Sequence, residues 1–170
     1  RNKLMVFIAT SANSAVLMEV KCAPYGTCRR DTLQRYDQHN MPAYTTANGL
    51  ARIFNEVKAQ AKAKQYALIV GCHGTGWLFP EGKSRARTRY FGGTDRYFQT
   101  NIPTLAAAIE QAKMPMQFVM FDDCYMSNIE VAYEMRHATN YLIGCCSEIM
   151  AYGMPYKNIW KHLIQQKPNY

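Results

Sequence analysis

Short apolar runs recur along the chain, and their lengths suit β-strands. They predict strands over 3–10, 15–22, 66–72, 117–121 and 141–145. The turn between the first two runs predicts that these two strands form a hairpin. The run at 66–72 is almost continuously apolar, as is typical of a strand covered on both faces of a parallel sheet.

Helical spacing appears between these runs. Apolar residues recur at three- and four-residue intervals over 47–64, with Thr45 or Thr46 as the predicted N-cap. Further helices are predicted from Ile102, over 127–136 and over 158–166. The polar stretch 29–44 and the irregular stretch 77–100 predict loops. This alternation of strands and helices predicts an α/β fold with a mainly parallel sheet.

A histidine and a cysteine each follow directly after one of the predicted strands. His73 comes after the strand at 66–72, and Cys124 comes after the strand at 117–121. Ligands bind beyond the carboxyl ends of strands in open α/β sheets, and a thiol beside an imidazole is the minimum set for cysteine nucleophile chemistry. The simpler interpretations are a structural histidine at a strand end and a small core cysteine.

Two carboxylates precede the cysteine and argue against an apolar core at this strand end. Asp122 lies two residues before Cys124, so strand alternation predicts that both side chains point to the same face. A carboxylate there would raise the pKa of the thiol, which does not help a nucleophile. We therefore interpret Asp122 as a pocket wall for a cationic side chain, and Asp123 as part of a structural network.

Two motifs carry a family resemblance. The first is His73-Gly74-Thr75-Gly76-Trp77, and the second runs from Phe121 to Glu134 through Asp122-Asp123-Cys124. In both, the chain resembles the clostripain family of cysteine peptidases. The resemblance implies a caspase-like three-layer α/β sandwich, with helices on both faces of the sheet. It also implies Cys124 as nucleophile, His73 as its proton-transfer partner, and the amides of Gly74 and Cys124 as oxyanion donors.

The resemblance further implies protein or peptide substrates that are cleaved after arginine or lysine. Asp122 would lie in the pocket for that side chain, and Glu148 is the candidate for a second acidic wall. No cofactor is expected for the chemistry itself. Calcium dependence is a family trait, but no dense carboxylate cluster in the sequence locates a calcium site. Family members are mostly exported by bacteria, which implies a secreted or periplasmic location.

Activation by self-cleavage is also implied, in the basic segment 81–97 between the two motifs. The candidate sites are Lys83, Arg85, Arg87 and Arg89. Before cleavage, this segment could occupy the acidic pocket as a pseudosubstrate. The competing interpretation is a solvated basic loop.

Composition fits one globular domain over 1–170, and the resemblance implies that it is a caspase-like peptidase domain. We expect it to be a trimmed or partial form because the chain begins at Arg1. The 170 residues are 48% hydrophobic, and no apolar run is long enough to span a membrane. Among the six cysteines, Cys22 and Cys28 could form a disulfide across a short loop containing proline and glycine.

The formal charge of +8 leaves a non-catalytic binding module for an anionic polymer as an alternative. Basic and aromatic residues interleave only around 89–91 and 96–98, so nucleic acid is not the expected partner. A caspase-like peptidase with another primary specificity is the third hypothesis.

Overall fold

The computed structural model describes residues 2–11, 14–24, 26–37, 44–76, 90–93 and 98–165. The four candidate cleavage sites at positions 83, 85, 87 and 89 therefore lie outside the described residues. Within them, the elements in chain order are β1 Leu4–Ser11, β2 Ser14–Cys22, β3 Cys28–Tyr36, α1 Ala47–Gln60, β4 Tyr66–Gly71, β5 His73–Gly74, β6 Tyr90–Gly92, β7 Gln99–Asn101, α2 Ile102–Gln111, β8 Met116–Asp122, α3 Ile129–Met135, β9 Thr139–Ile143 and α4 Tyr156–Leu163.

The first three strands form an antiparallel sheet in the order β1-β2-β3. The predicted hairpin of the first two strands is confirmed, but the predicted loop over 29–44 is wrong where β3 runs. That strand is polar, and charges across the ladder help to hold it: Lys21 donates to Asp31 at 2.8 Å. The disulfide between Cys22 and Cys28 closes the turn between β2 and β3, as the spacing suggested.

The central sheet is parallel, in the order β4-β8-β9, which confirms the predicted parallel pairing. Helices α1, α2 and α3 contribute to a single hydrophobic core with this sheet. Its fully buried members include Ile102 and Ile109 from α2, Val119 and Phe121 from β8, and Val131 from α3. Because β8 is the middle strand, its carboxyl end is held on both sides by neighbouring backbone.

A third, antiparallel sheet has the order β5-β6-β7. It begins where β4 ends, since β5 consists only of His73 and Gly74, which pair with Gly92 and Phe91. The prediction of an irregular stretch over 77–100 is therefore wrong for 90–92 and 99–100, which are strands. These short strands carry no measurable apolar periodicity, because two or three residues are too few to show one.

Candidate active site

Strand register brings the two sequence motifs to the same edge of the sheet. Gly71 of β4 is paired with Asp122 of β8, so His73 and Cys124 each lie two residues beyond a paired position. The residues between them are also joined, because the Cys72 amide donates a hydrogen bond to the Asp123 carboxylate at 2.6 Å. A side-chain hydrogen bond therefore joins the two chain segments just beyond their last paired residues.

Gly74 packs directly against the cysteine motif. A Cβ atom at this position would lie 2.6 Å from the Cys124 carbonyl oxygen and 2.7 Å from the Asp123 Cβ. Contacts below 3 Å are not tolerated, so only glycine lets the histidine motif approach this closely. The structure thus brings Gly74 against Cys124, while the pairing of His73 with Cys124 in catalysis and the oxyanion site stay predictions.

The Cys124 sulfur is held by the backbone of a more distant segment. The Ile149 amide donates to Sγ at 3.3 Å, and the thiol lies 3.7 Å from the Ile149 carbonyl oxygen. Helix α3 begins at Ile129 instead of the predicted Ser127, with Asn128 as its N-cap. A helix dipole acts mainly within the first turn, so the direct donor to the Cys124 sulfur is the Ile149 amide and not the helix.

Asp122 is half-buried, and its carboxylate is held by two donors. The Met154 amide donates to Oδ1 at 2.7 Å, and the Tyr156 hydroxyl donates to Oδ2 at 2.6 Å. Each oxygen has a further lone pair, because a carboxylate offers about four acceptor positions. Asp122 therefore keeps the capacity to accept hydrogen bonds from a cationic group.

The predicted second acidic residue, Glu148, is linked to Tyr125, the residue that directly follows Cys124. Its carboxylate accepts a hydrogen bond from the Tyr125 hydroxyl at 3.0 Å, and this bond raises the pKa of Tyr125. The Tyr125 amide in turn donates to the Ser147 carbonyl oxygen at 3.0 Å. The segment containing Glu148 is thus anchored beside Cys124.

Asp123 points away from this edge and is only 1% exposed. Burial raises its pKa to about 6, although the amide and thiol of Cys72 stabilise the ionised form. Although Cys72 is exposed as a residue, desolvation of its sulfur by nearby protein atoms and then the Asp123 charge raise the pKa of the thiol well above its usual range. Cys72 therefore stays protonated, which disfavours it as a rival nucleophile next to His73.

No site role was predicted from the sequence for the segment from Ile149 to Tyr156, although Tyr152 to Tyr156 also resembles a segment of the clostripain family. The segment contacts Cys124 at its first residue and Asp122 at its last. The signal available in the sequence was the run Gly153-Met154-Pro155-Tyr156, whose glycine and proline indicate an obligatory backbone shape. Gly153 does have a positive φ of 67°.

A search for a metal site gives no candidate among the residues that the structure describes. No group of three or more histidine, cysteine, aspartate or glutamate side chains there could hold an ion. The predicted calcium dependence therefore has no residue assigned to it. Among the described helices, none combines the length and the apolar character that crossing a membrane requires.

Comparison with known proteins gives consistent matches. Residues 22–169 match the model of the Clostripain family, Peptidase_C11. One solved structure, a secreted C11 cysteine protease from Bacteroides thetaiotaomicron called iotapain, is 44% identical over 99% of this chain, with a TM-score of 0.85. No curated protein matches.

Two further structures are similar over nearly the whole chain. A second secreted C11 cysteine protease from Bacteroides thetaiotaomicron, in complex with an irreversible peptide inhibitor, is 25% identical over 98% of the chain, with a TM-score of 0.76. An inactive zymogen C11 protease from Parabacteroides distasonis is 30% identical over 96%, with a TM-score of 0.74. The chain spans only 48%, 44% and 43% of these three chains. The matches confirm the expected caspase-like α/β fold.

Proposed function

Because the chain belongs to the clostripain family of cysteine peptidases, we propose that it carries the catalytic centre of an endopeptidase that cleaves after arginine or lysine. One observation supports this most strongly: β4 and β8 pair as far as Gly71 and Asp122, two residues before His73 and Cys124, and Gly74 packs on the Cys124 carbonyl. A thiol and an imidazole that are distant in the sequence thus follow the carboxyl ends of two neighbouring parallel strands, as a nucleophile and its base require.

The proposed reaction is acyl transfer through a thioester. Cys124 passes its proton to His73 and attacks the scissile carbonyl carbon, and the resulting oxyanion accepts hydrogen bonds from the amides of Gly74 and Cys124. His73 then protonates the leaving amine. In the second step, His73 takes a proton from water, whose hydroxide attacks the thioester and releases the acid and the Cys124 thiol. The Ile149 amide donates to the Cys124 sulfur and helps to hold it in position.

Recognition of the substrate is assigned to Asp122. Its side chain is on the strand that carries the nucleophile, two residues before it, and each of its oxygens can accept one more hydrogen bond. A guanidinium would bind both oxygens, and an ammonium would bind as a point charge. Glu148 is proposed as a second acidic wall because it is anchored to Tyr125, directly after Cys124.

We also propose that the protein is secreted and activated by cleavage within 81–97. Two of the similar structures are described as secreted proteases, and one as an inactive zymogen. The Cys22–Cys28 disulfide supports an oxidising compartment. A calcium requirement is retained as a proposal from the family alone, and no step of the reaction is routed through the ion.

A substrate profile tests the proposed function. Four fluorogenic peptides would be compared with and without calcium, identical except for arginine, lysine, citrulline or aspartate before the scissile bond. We expect cleavage of the arginine and lysine peptides, and complete loss in Cys124→Ala. Cys146→Ala is the matched control, since Cys146 is an exposed free thiol outside the proposed machinery. Preference for aspartate, or activity retained in Cys124→Ala, would overturn the assignment.

A further inference from the structure

The segment from Ile149 to Tyr156 connects the two chemical groups of the site. Its first residue donates to the Cys124 sulfur, and its last residues donate to the Asp122 carboxylate. Between these anchors, Tyr152 is 92% exposed. The segment is therefore held at both ends, at Cys124 by its first residue and at Asp122 by its last residues. Tyr156 is the side chain that makes the contact with Asp122.

The backbone around Gly153 is shaped to the carboxylate. A Cβ atom on Gly153 would lie 2.6 Å from Asp122 Oδ2, and the residue has a φ of 67°, which side chains rarely adopt. The glycine thus lets the chain pass close over Asp122, so that the next amide and the Tyr156 hydroxyl both reach its oxygens. This close approach serves no contact within the core, since α4 has no buried residue.

We propose that Tyr156 is a positioning residue that sets the preference for arginine over lysine, by fixing the Asp122 carboxylate through its hydroxyl. The inference rests on the proposed function, because it needs Asp122 to receive the substrate's cationic side chain. The Met154 amide alone holds only Oδ1 and leaves the carboxylate free to turn about its Cβ–Cγ bond. The second donor on Oδ2 fixes the plane of the group.

The two cations differ in how much they depend on this plane. A guanidinium forms two parallel hydrogen bonds to a carboxylate and therefore requires both oxygens in a fixed orientation. An ammonium is a compact point charge and tolerates rotation of the carboxylate. The pKa of Tyr156 is raised by its partial burial and by the bond to Asp122, so the hydroxyl keeps its proton throughout the neutral range.

The test is Tyr156→Phe in the full-length protein, with Tyr152→Phe as the matched control on the same segment. We expect the ratio of kcat/KM for arginine over lysine peptides to fall about tenfold in Tyr156→Phe, the loss typical of one hydrogen bond to a charged group. The change should appear in KM, with kcat nearly unchanged. Cleavage of the citrulline peptide should not change, and Tyr152→Phe should behave as wild type.

A double variant shows whether Tyr156 acts through Asp122. In an Asp122→Asn background, Tyr156→Phe should have no further effect on the arginine-to-lysine ratio. An unchanged ratio of kcat/KM for arginine over lysine peptides in Tyr156→Phe would overturn the inference. An equal loss of kcat/KM for the citrulline peptide would also overturn it. Failure of the proposed function would be seen separately, as a wild-type protein that does not cleave after arginine or lysine.

Gly153→Ala provides a second route if Tyr156→Phe melts well below wild type. Its added Cβ would push the carboxylate out of place, so the same selective loss for arginine is expected. An unchanged arginine-to-lysine ratio in that variant would also contradict the inference.

Discussion

At the scale of single residues, strand alternation sends two adjacent carboxylates to different partners. Asp122 accepts hydrogen bonds from the Met154 amide and the Tyr156 hydroxyl, whereas Asp123 is buried against Cys72. The sequence predicted this division, because neighbouring strand residues point to opposite faces. It could not predict the partners of Asp122, since they lie more than 30 positions away and their approach depends on the path of the chain.

Asp123 makes stability depend on pH. Its pKa of about 6 in the folded protein is above the ordinary value, so folding favours the protonated form. Its contribution is therefore fully present below about pH 4 and is lost as pH rises through 6. We expect the free energy of unfolding of wild type relative to Asp123→Asn to fall by about 3 kcal/mol over that window. Urea unfolding of both proteins at pH 4 to 7 measures this difference in the free energy of unfolding. A difference that stays constant or rises with pH would contradict the burial of this carboxylate.

At the scale of elements, the predictions succeeded where one face of an element is apolar. Helix α1 was predicted from its periodicity, and Thr46 caps it by accepting from the Gly49 amide. Strand β3 was missed because much of what holds it is cross-strand charge and a disulfide, neither of which leaves an apolar pattern. The strands β5 to β7 were missed because they are too short to show a period.

The basic segment 81–97 carries a prediction of its own. If Asp122 binds arginine or lysine, this segment offers candidate cleavage sites in the same chain, since it follows His73 and precedes α2 in the sequence. We expect purified wild-type protein to be cut after Lys83, Arg85, Arg87 or Arg89, as seen by intact-mass spectrometry. Cys124→Ala should stay whole. A wild type that cleaves arginine peptides while remaining uncut after long incubation with calcium and reductant would exclude self-processing.

At the scale of the whole molecule, the site lies where two sheets meet. The chain leaves parallel strand β4 and enters antiparallel strand β5 at His73, while the neighbouring strand β8 ends just before Cys124. The formal charge of +8 opposes the approach of a cationic substrate. If the substrate is cationic, as proposed above, its recognition must come from local carboxylates such as Asp122.

Covalent labelling tests the central claim most directly. The protein would be treated with a peptide that carries arginine before an electrophilic ketone, and the modified residue would be mapped by mass spectrometry. We expect one label, on Cys124, and no label on the free thiols of Cys72, Cys145 and Cys146. Labelling by the same peptide with aspartate should be much slower. A label on another cysteine, or equal rates for arginine and aspartate, would contradict it.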